Sequence, residues 1–137
     1  MTATHKEIYE RYVWATMNRD AAAVAGLFTP DGVIEAPLVP PGRAFPRRME
    51  GREEIRAQLA AYYGRAVTAG DGRTVNVDET RYVLHATADP DVFVVEIDTV
   101  FDGPEGAATT MSLVQIFRLR GGRIALLRDY FAPEEVG

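Results

Sequence analysis

Two hydrophobic periods divide this chain, and the point where one gives way to the other decides what kind of fold it can adopt. In the first half apolar residues recur every three or four positions; from Thr74 onward they alternate. Over 4–18, Ile8, Tyr9, Tyr12, Val13, Thr16 and Met17 form one stripe, the mark of an amphipathic helix. Asp20 is placed to cap a second short helix over 21–28, which the turn residues Thr29-Pro30-Asp31-Gly32 end. A short strand over 33–36 leads into a Pro- and Arg-rich loop over 37–49, long enough to suggest a function of its own. Gly51 opens a third helix that runs to about Tyr63 and turns Ile55, Leu59, Tyr62 and Tyr63 inward. Strands come next over 74–88, with a bulge near Asp78-Glu79, and over 92–101, 109–120 and 123–131. Asp89-Pro90-Asp91, Gly103-Pro104-Glu105-Gly106 and Gly121-Gly122 supply the turns between them. Helices first and an antiparallel meander after is the α+β pattern. The prediction is three helices packed on a curved, mainly antiparallel sheet that encloses one pocket, in a single domain over 1–137.

Composition narrows the function. The net charge is −5 with basic residues scattered among the acids, so no surface that tracks phosphates is expected and nucleic acid is a poor partner. No apolar run approaches the roughly 20 residues of a membrane span, and the first residues lack the order of a signal peptide. The absence of cysteine removes thiol nucleophiles and disulfides and makes the cytoplasm the default location. His5 and His85 stand far apart with no carboxylates at ligand spacing, so no metal site is expected.

Chemistry shows where a polar residue interrupts an apolar strand face, since side chains alternate across a strand. The last strand has Ala125, Leu127, Asp129 and Phe131 on one face, and Asp129 is its lone polar group. The strand before it has Met111, Leu113, Gln115, Phe117 and Leu119, with Gln115 the exception. In the strand over 92–101, Glu96 and Asp98 point the same way, while Phe93, Val95, Ile97, Thr99 and Phe101 take the other face. A carboxyl on an apolar face is costly unless it is paired, neutral or lining a wet cavity. Desolvation raises its pKa toward the range a general acid or base needs. The plainer alternatives are a buried arginine partner for Asp129, a satisfied core amide for Gln115 and a solvated strand face for Glu96 and Asp98. Tyr12 on the first helix would ordinarily be core with its hydroxyl at a rim, and Arg43, Arg47 and Arg48 would ordinarily be surface charges.

Three segments carry a resemblance. They are Leu27-Phe28-Thr29-Pro30-Asp31-Gly32-Val33, Met49-Glu50-Gly51-Arg52-Glu53-Glu54-Ile55, and the ending Gly122-Arg123-Ile124 through Arg128-Asp129-Tyr130-Phe131-Ala132-Pro133. Over nearly its whole length the chain resembles the SnoaL-like branch of the nuclear-transport-factor-2-like superfamily, a cone-shaped fold shared by polyketide cyclases, ketosteroid isomerase, limonene epoxide hydrolase and phenazine-biosynthesis proteins. Tyr12 matches the oxyanion-hole tyrosine of the isomerase. Ala36 and Gln115 stand where its two functional aspartates belong, which disfavours steroid-type isomerisation. Asp129 and Asp98 resemble the two catalytic aspartates of the epoxide hydrolase, with Glu96 in place of its bridging arginine. The resemblance implies a cofactor-independent acid–base enzyme acting on a hydrophobic small molecule, a cyclase or isomerase of secondary metabolism. Asp129 and Asp98 would be catalytic, and Tyr12, Gln115, Glu96, Leu127, Phe131 and Phe117 would bind substrate. The alternatives are an epoxide hydrolase or epoxide-opening cyclase using the same two aspartates, and a binding protein without chemistry. If Glu96 and Asp98 look into the cone, the Phe93 face must be covered from outside, which predicts a homodimer.

Overall fold

The computed structural model describes residues 3–69, 74–103 and 106–133, with the side chains of 66–69 excepted. Helix α1 (His5–Met17) starts where Thr4 accepts a hydrogen bond from the Glu7 backbone N–H at 3.1 Å, and it buries Ile8, Tyr9, Tyr12 and Ala15. Helix α2 (Ala21–Gly26) is capped by Asp20 as its sequence predicts. It ends two residues before the expected boundary, because Phe28 already pairs with the sheet. Strand β1 (Phe28–Glu35) therefore absorbs the turn residues Thr29 to Gly32 as an irregularity in its register instead of stopping at them. The far end of the Pro- and Arg-rich loop forms a strand the sequence pattern does not show, β2 (Arg48–Glu50), paired with Val33 to Glu35. Helix α3 (Arg52–Ala69) runs past Tyr63, with Gly64 inside it.

The predicted strand over 74–88 is split. Strand β3 (Thr74–Val75) and strand β4 (Arg81–Ala86) both pair with β5 (Val92–Asp102), and between them Asn76 builds a turn. The Asn76 side-chain oxygen accepts from Glu79 N at 3.1 Å, and the Asn76 backbone carbonyl accepts from Thr80 Oγ1 at 2.8 Å. Strands β6 (Ala108–Arg120) and β7 (Arg123–Tyr130) complete the order β2-β1-β7-β6-β5-β3, with β4 also on β5. All pairs are antiparallel except β1 with β7. Pro104 and Glu105 of the expected turn lie outside the described residues. The result is the predicted α+β cone, three helices against a strongly curled sheet.

Strand β7 carries a bulge. Its register slips between Arg118↔Leu126 and Leu119↔Ile124, so Ala125 is an extra residue. The bulge turns Ile124 inward as well as Leu127, Asp129 and Phe131, and Ile124 and Leu127 are fully buried. The narrow end of the cone is packed solid around Phe117. Its ring stacks on Phe93 at 4.8 Å and meets Tyr9 and Tyr12 edge-on at 5.6 and 5.3 Å.

Candidate active site

The wide end of the cone holds a cavity of about 260 Å³. Its floor is Asp129 from β7 and Gln115 from β6, which face each other directly across the strand pair. Tyr9 and Tyr12, one helical turn apart on α1, form one wall. Ile97, Thr99 and Phe101 of β5 form another, Tyr62 and Tyr63 come from α3, and Phe131 and Phe45 face each other edge-on at 5.5 Å. Phe45 gives the long loop a role: it closes the cavity, and Arg65 holds the loop beside it by donating to the Ala44 carbonyl at 2.8 Å. Arg19 stands at the rim.

The polar groups at the floor form a chain. The Tyr9 hydroxyl donates to Gln115 Oε1 at 2.8 Å in a buried hydrogen bond. That bond uses the amide oxygen and leaves the amide N–H groups free for Asp129, the cross-strand neighbour of Gln115. Asp129 Oδ1 is buried and has no hydrogen-bond partner among the described residues. Burial therefore dominates and raises the Asp129 carboxyl to about 7, with the Gln115 amide pulling the other way. Burial and the nearby Asp129 charge raise the hydroxyls of Tyr9 and Tyr12, and Tyr63 is pushed up to about 12 chiefly by burial. All three tyrosines are therefore neutral hydrogen-bonding groups at ordinary pH. A carboxyl that titrates near neutrality inside a ring of neutral donors can give or take a proton.

The residues predicted to share this site divide. Asp129, Gln115, Tyr12 and Phe131 line the cavity together. Leu127 and Phe117 do not; both are fully buried in the solid core beneath it. Glu96 and Asp98 are corrections. They lie on the outer, exposed face of β5, where Glu96 Oε2 is 2.6 Å from His85 Nε2 and Ser112 Oγ donates to Asp98 Oδ1 at 2.6 Å. The opposite face, Phe93 to Phe101, is the inner one. Asp98 accordingly adds nothing to the rise of the Asp129 pKa, and the two aspartates do not form a pair across the cavity. The premise for a dimer covering the Phe93 face falls with it. Sequence reasoning missed Tyr9, Tyr63, Phe45, Thr99 and Arg19. Tyr9 was visible on the same stripe as Tyr12, but only the packing of α1 against the sheet shows that it reaches Gln115. Among the described residues no group of three or more His, Cys, Asp or Glu side chains stands close enough to hold a metal. No helix there is long and apolar enough to cross a membrane.

Residues 9–127 match the SnoaL-like domain. An uncharacterised PhzA/B-like protein of Pseudomonas aeruginosa is 33% identical over 134 residues, covering 93% of this chain and 84% of its own. A Bacillus subtilis structure described as that of a candidate isomerase superposes with a TM-score of 0.73 at 21% identity, covering 94% of this chain and 86% of its own. A candidate polyketide cyclase of Pseudomonas putida KT2440 gives 0.63 at 17% identity, covering 93% and 91%. At such identities the two structures establish the fold alone.

Proposed function

The chain belongs to the SnoaL-like domain family, and from that premise we propose that it is an acid–base enzyme acting on a hydrophobic small molecule, a cyclase or isomerase of secondary metabolism. One observation carries the reading. The cavity floor holds a buried carboxyl, Asp129, with one oxygen left without a partner and its pKa raised to about 7. A stability-driven core has no use for such a group, because desolvation of an unpaired carboxyl destabilises the fold. The names of the relatives, a PhzA/B-like protein, a candidate isomerase and a candidate cyclase, agree with the reading.

The cavity's layout supports the following mechanism. Ionised Asp129 takes a proton from a carbon beside a carbonyl. The electron pair moves onto the carbonyl oxygen, and the Tyr12 hydroxyl, already raised well above its usual pKa, donates a hydrogen bond to that oxyanion without surrendering its proton. The protonated Asp129 then returns the proton at another position, or to the atom that accepts it when a ring closes. Tyr9 touches no substrate in this scheme; it holds Gln115, and the Gln115 amide faces Asp129 across the strand pair.

A reaction that needs only a base in an apolar pocket tests this before the natural substrate is found. Ring opening of 5-nitrobenzisoxazole is such a reaction. The rate should rise with pH through a midpoint near 7, and Asp129→Asn should lower it by about a hundredfold or more. An Asp129→Asn protein that folds and opens the ring at the wild-type rate removes Asp129 from the chemistry and leaves the binding-protein reading.

A further inference from the structure

The cavity has a charged group at each end. Asp129 is at the floor, and Arg19 is the cation at the rim. Arg19 sits where α1 stops. Its backbone N–H donates to Thr16 O at 3.0 Å, and Asp20 N–H donates to Ala15 O at 3.0 Å. That pair of bonds ends a helix on a residue in the left-handed conformation, a place where glycine is the usual occupant. Here the residue is an arginine at φ 53°, and among the described residues no other non-glycine has positive φ. Glycine would adopt this backbone more easily, so the turn itself gains nothing from a side chain. Among the described residues no carboxylate makes an ion pair with Arg19. The neighbouring Asp20 is committed to capping α2 through Ala23 N at 3.0 Å. The guanidinium is close enough to Tyr63 at the cavity wall to oppose the upward push of burial on its hydroxyl.

We propose that Arg19 is a ligand-recognition residue, and that the cavity takes flat apolar molecules bearing a carboxylate, with the carboxylate on the Arg19 guanidinium at the rim and the rings between Tyr12, Phe45, Tyr63 and Phe131. The guanidinium fork matches a carboxylate in two parallel hydrogen bonds. The reverse orientation would set a second carboxylate beside Asp129 in a dry floor, where like charges repel strongly. The aromatic walls favour a planar body. This inference rests on the cavity being the active site and adds the class of substrate.

Naphthalene-2-carboxylate and naphthalene-2-carboxamide are matched probes that differ in charge. Their affinities are compared at about pH 6, where most Asp129 is protonated. The wild type should prefer the carboxylate by about tenfold, the scale of a partly exposed charge-assisted pair. Arg19→Gly should abolish the preference, leave carboxamide affinity within about twofold, and melt no lower than wild type because glycine suits the turn. Equal affinities in the wild type, a preference that survives Arg19→Gly, or failure of both probes to bind overturns the proposal. Asp129→Asn should keep the preference whatever it does to ring opening, so a failed subsite and a failed catalytic assignment give different results.

Discussion

A single carboxyl sets the pH behaviour of this protein as well as its chemistry. In the unfolded chain Asp129 titrates near 4; in the fold it titrates at about 7. Below about pH 4 the group is protonated in both states and costs nothing. As pH rises from there the unfolded chain ionises and the folded one does not, so stability falls, and above about 7 the full cost of roughly 4 kcal/mol stands. Asp129→Asn removes this dependence. Melting temperatures of variant and wild type should nearly coincide near pH ~4 and diverge by pH ~8, with the variant higher. If Asp129 instead anchored a buried arginine, the variant would melt lower at pH ~8, because a charge would be left unpaired. Tyr9 acts on the same group from a distance. Tyr9→Phe frees Gln115 to rotate and takes a fixed amide donor from the carboxylate, so the ring-opening midpoint should move above 7. A midpoint left in place would mean that Gln115 holds its orientation without Tyr9. Asp129 and Gln115 were legible in the sequence because each is the lone polar residue on an otherwise apolar strand face. Asp98 and Glu96 were misplaced because the opposite face of that strand is apolar too, and alternation alone cannot say which of two faces a curled sheet turns inward.

Elements fare differently according to whether their signals are local. The cap at Asp20 and the two long hairpin strands were legible, since each depends on a few adjacent residues. The three-residue β2 and the parallel pairing of β1 with β7 were not, because their partners are distant in sequence and no adjacent residue announces them. The irregularity in β1 shows the cost of that blindness. Thr29-Pro30-Asp31-Gly32 has turn chemistry, yet the segment is held in the sheet between Phe28↔Ile124 and Val33↔Leu126. Gly32 makes this possible by close approach: a Cβ there would lie 2.9 Å from Phe28 Cβ and 3.1 Å from the Ile124 carbonyl oxygen. Neither atom is the free end of a flexible side chain, so the strand itself has to shift. Gly32→Ala should lose about 1–3 kcal/mol in urea unfolding, and it should disturb β7 where Asp129 is carried. An unchanged unfolding midpoint would show that β1 can move aside at no cost.

At the scale of the whole molecule, the Phe93 face is inside, so a homodimer built on the sheet would have to use its outer face. Strand register places Val83, Glu96, Val114 and Tyr130 in one row across β4 to β7, and His85, Val94, Ile116 and Arg128 in the next. Val83 is 56% exposed and Val114 39%. Apolar and charged groups thus alternate on this face, with Glu96 between Val83 and Val114 and held to His85 of the neighbouring row. A second copy related by a two-fold axis would set one such face against the other and would bury Val83 and Val114 in both chains at once. Light scattering at micromolar concentration should give twice the mass of one chain. Val114→Lys tests the surface directly. The new ammonium lies opposite Glu96 within its own chain, so the single fold tolerates it, whereas two of them near the axis of a dimer repel. The variant should therefore run as a monomer with an unchanged melting profile at low concentration and with Asp129 chemistry intact. A wild-type monomer, or a Val114→Lys dimer, would exclude this face as the contact.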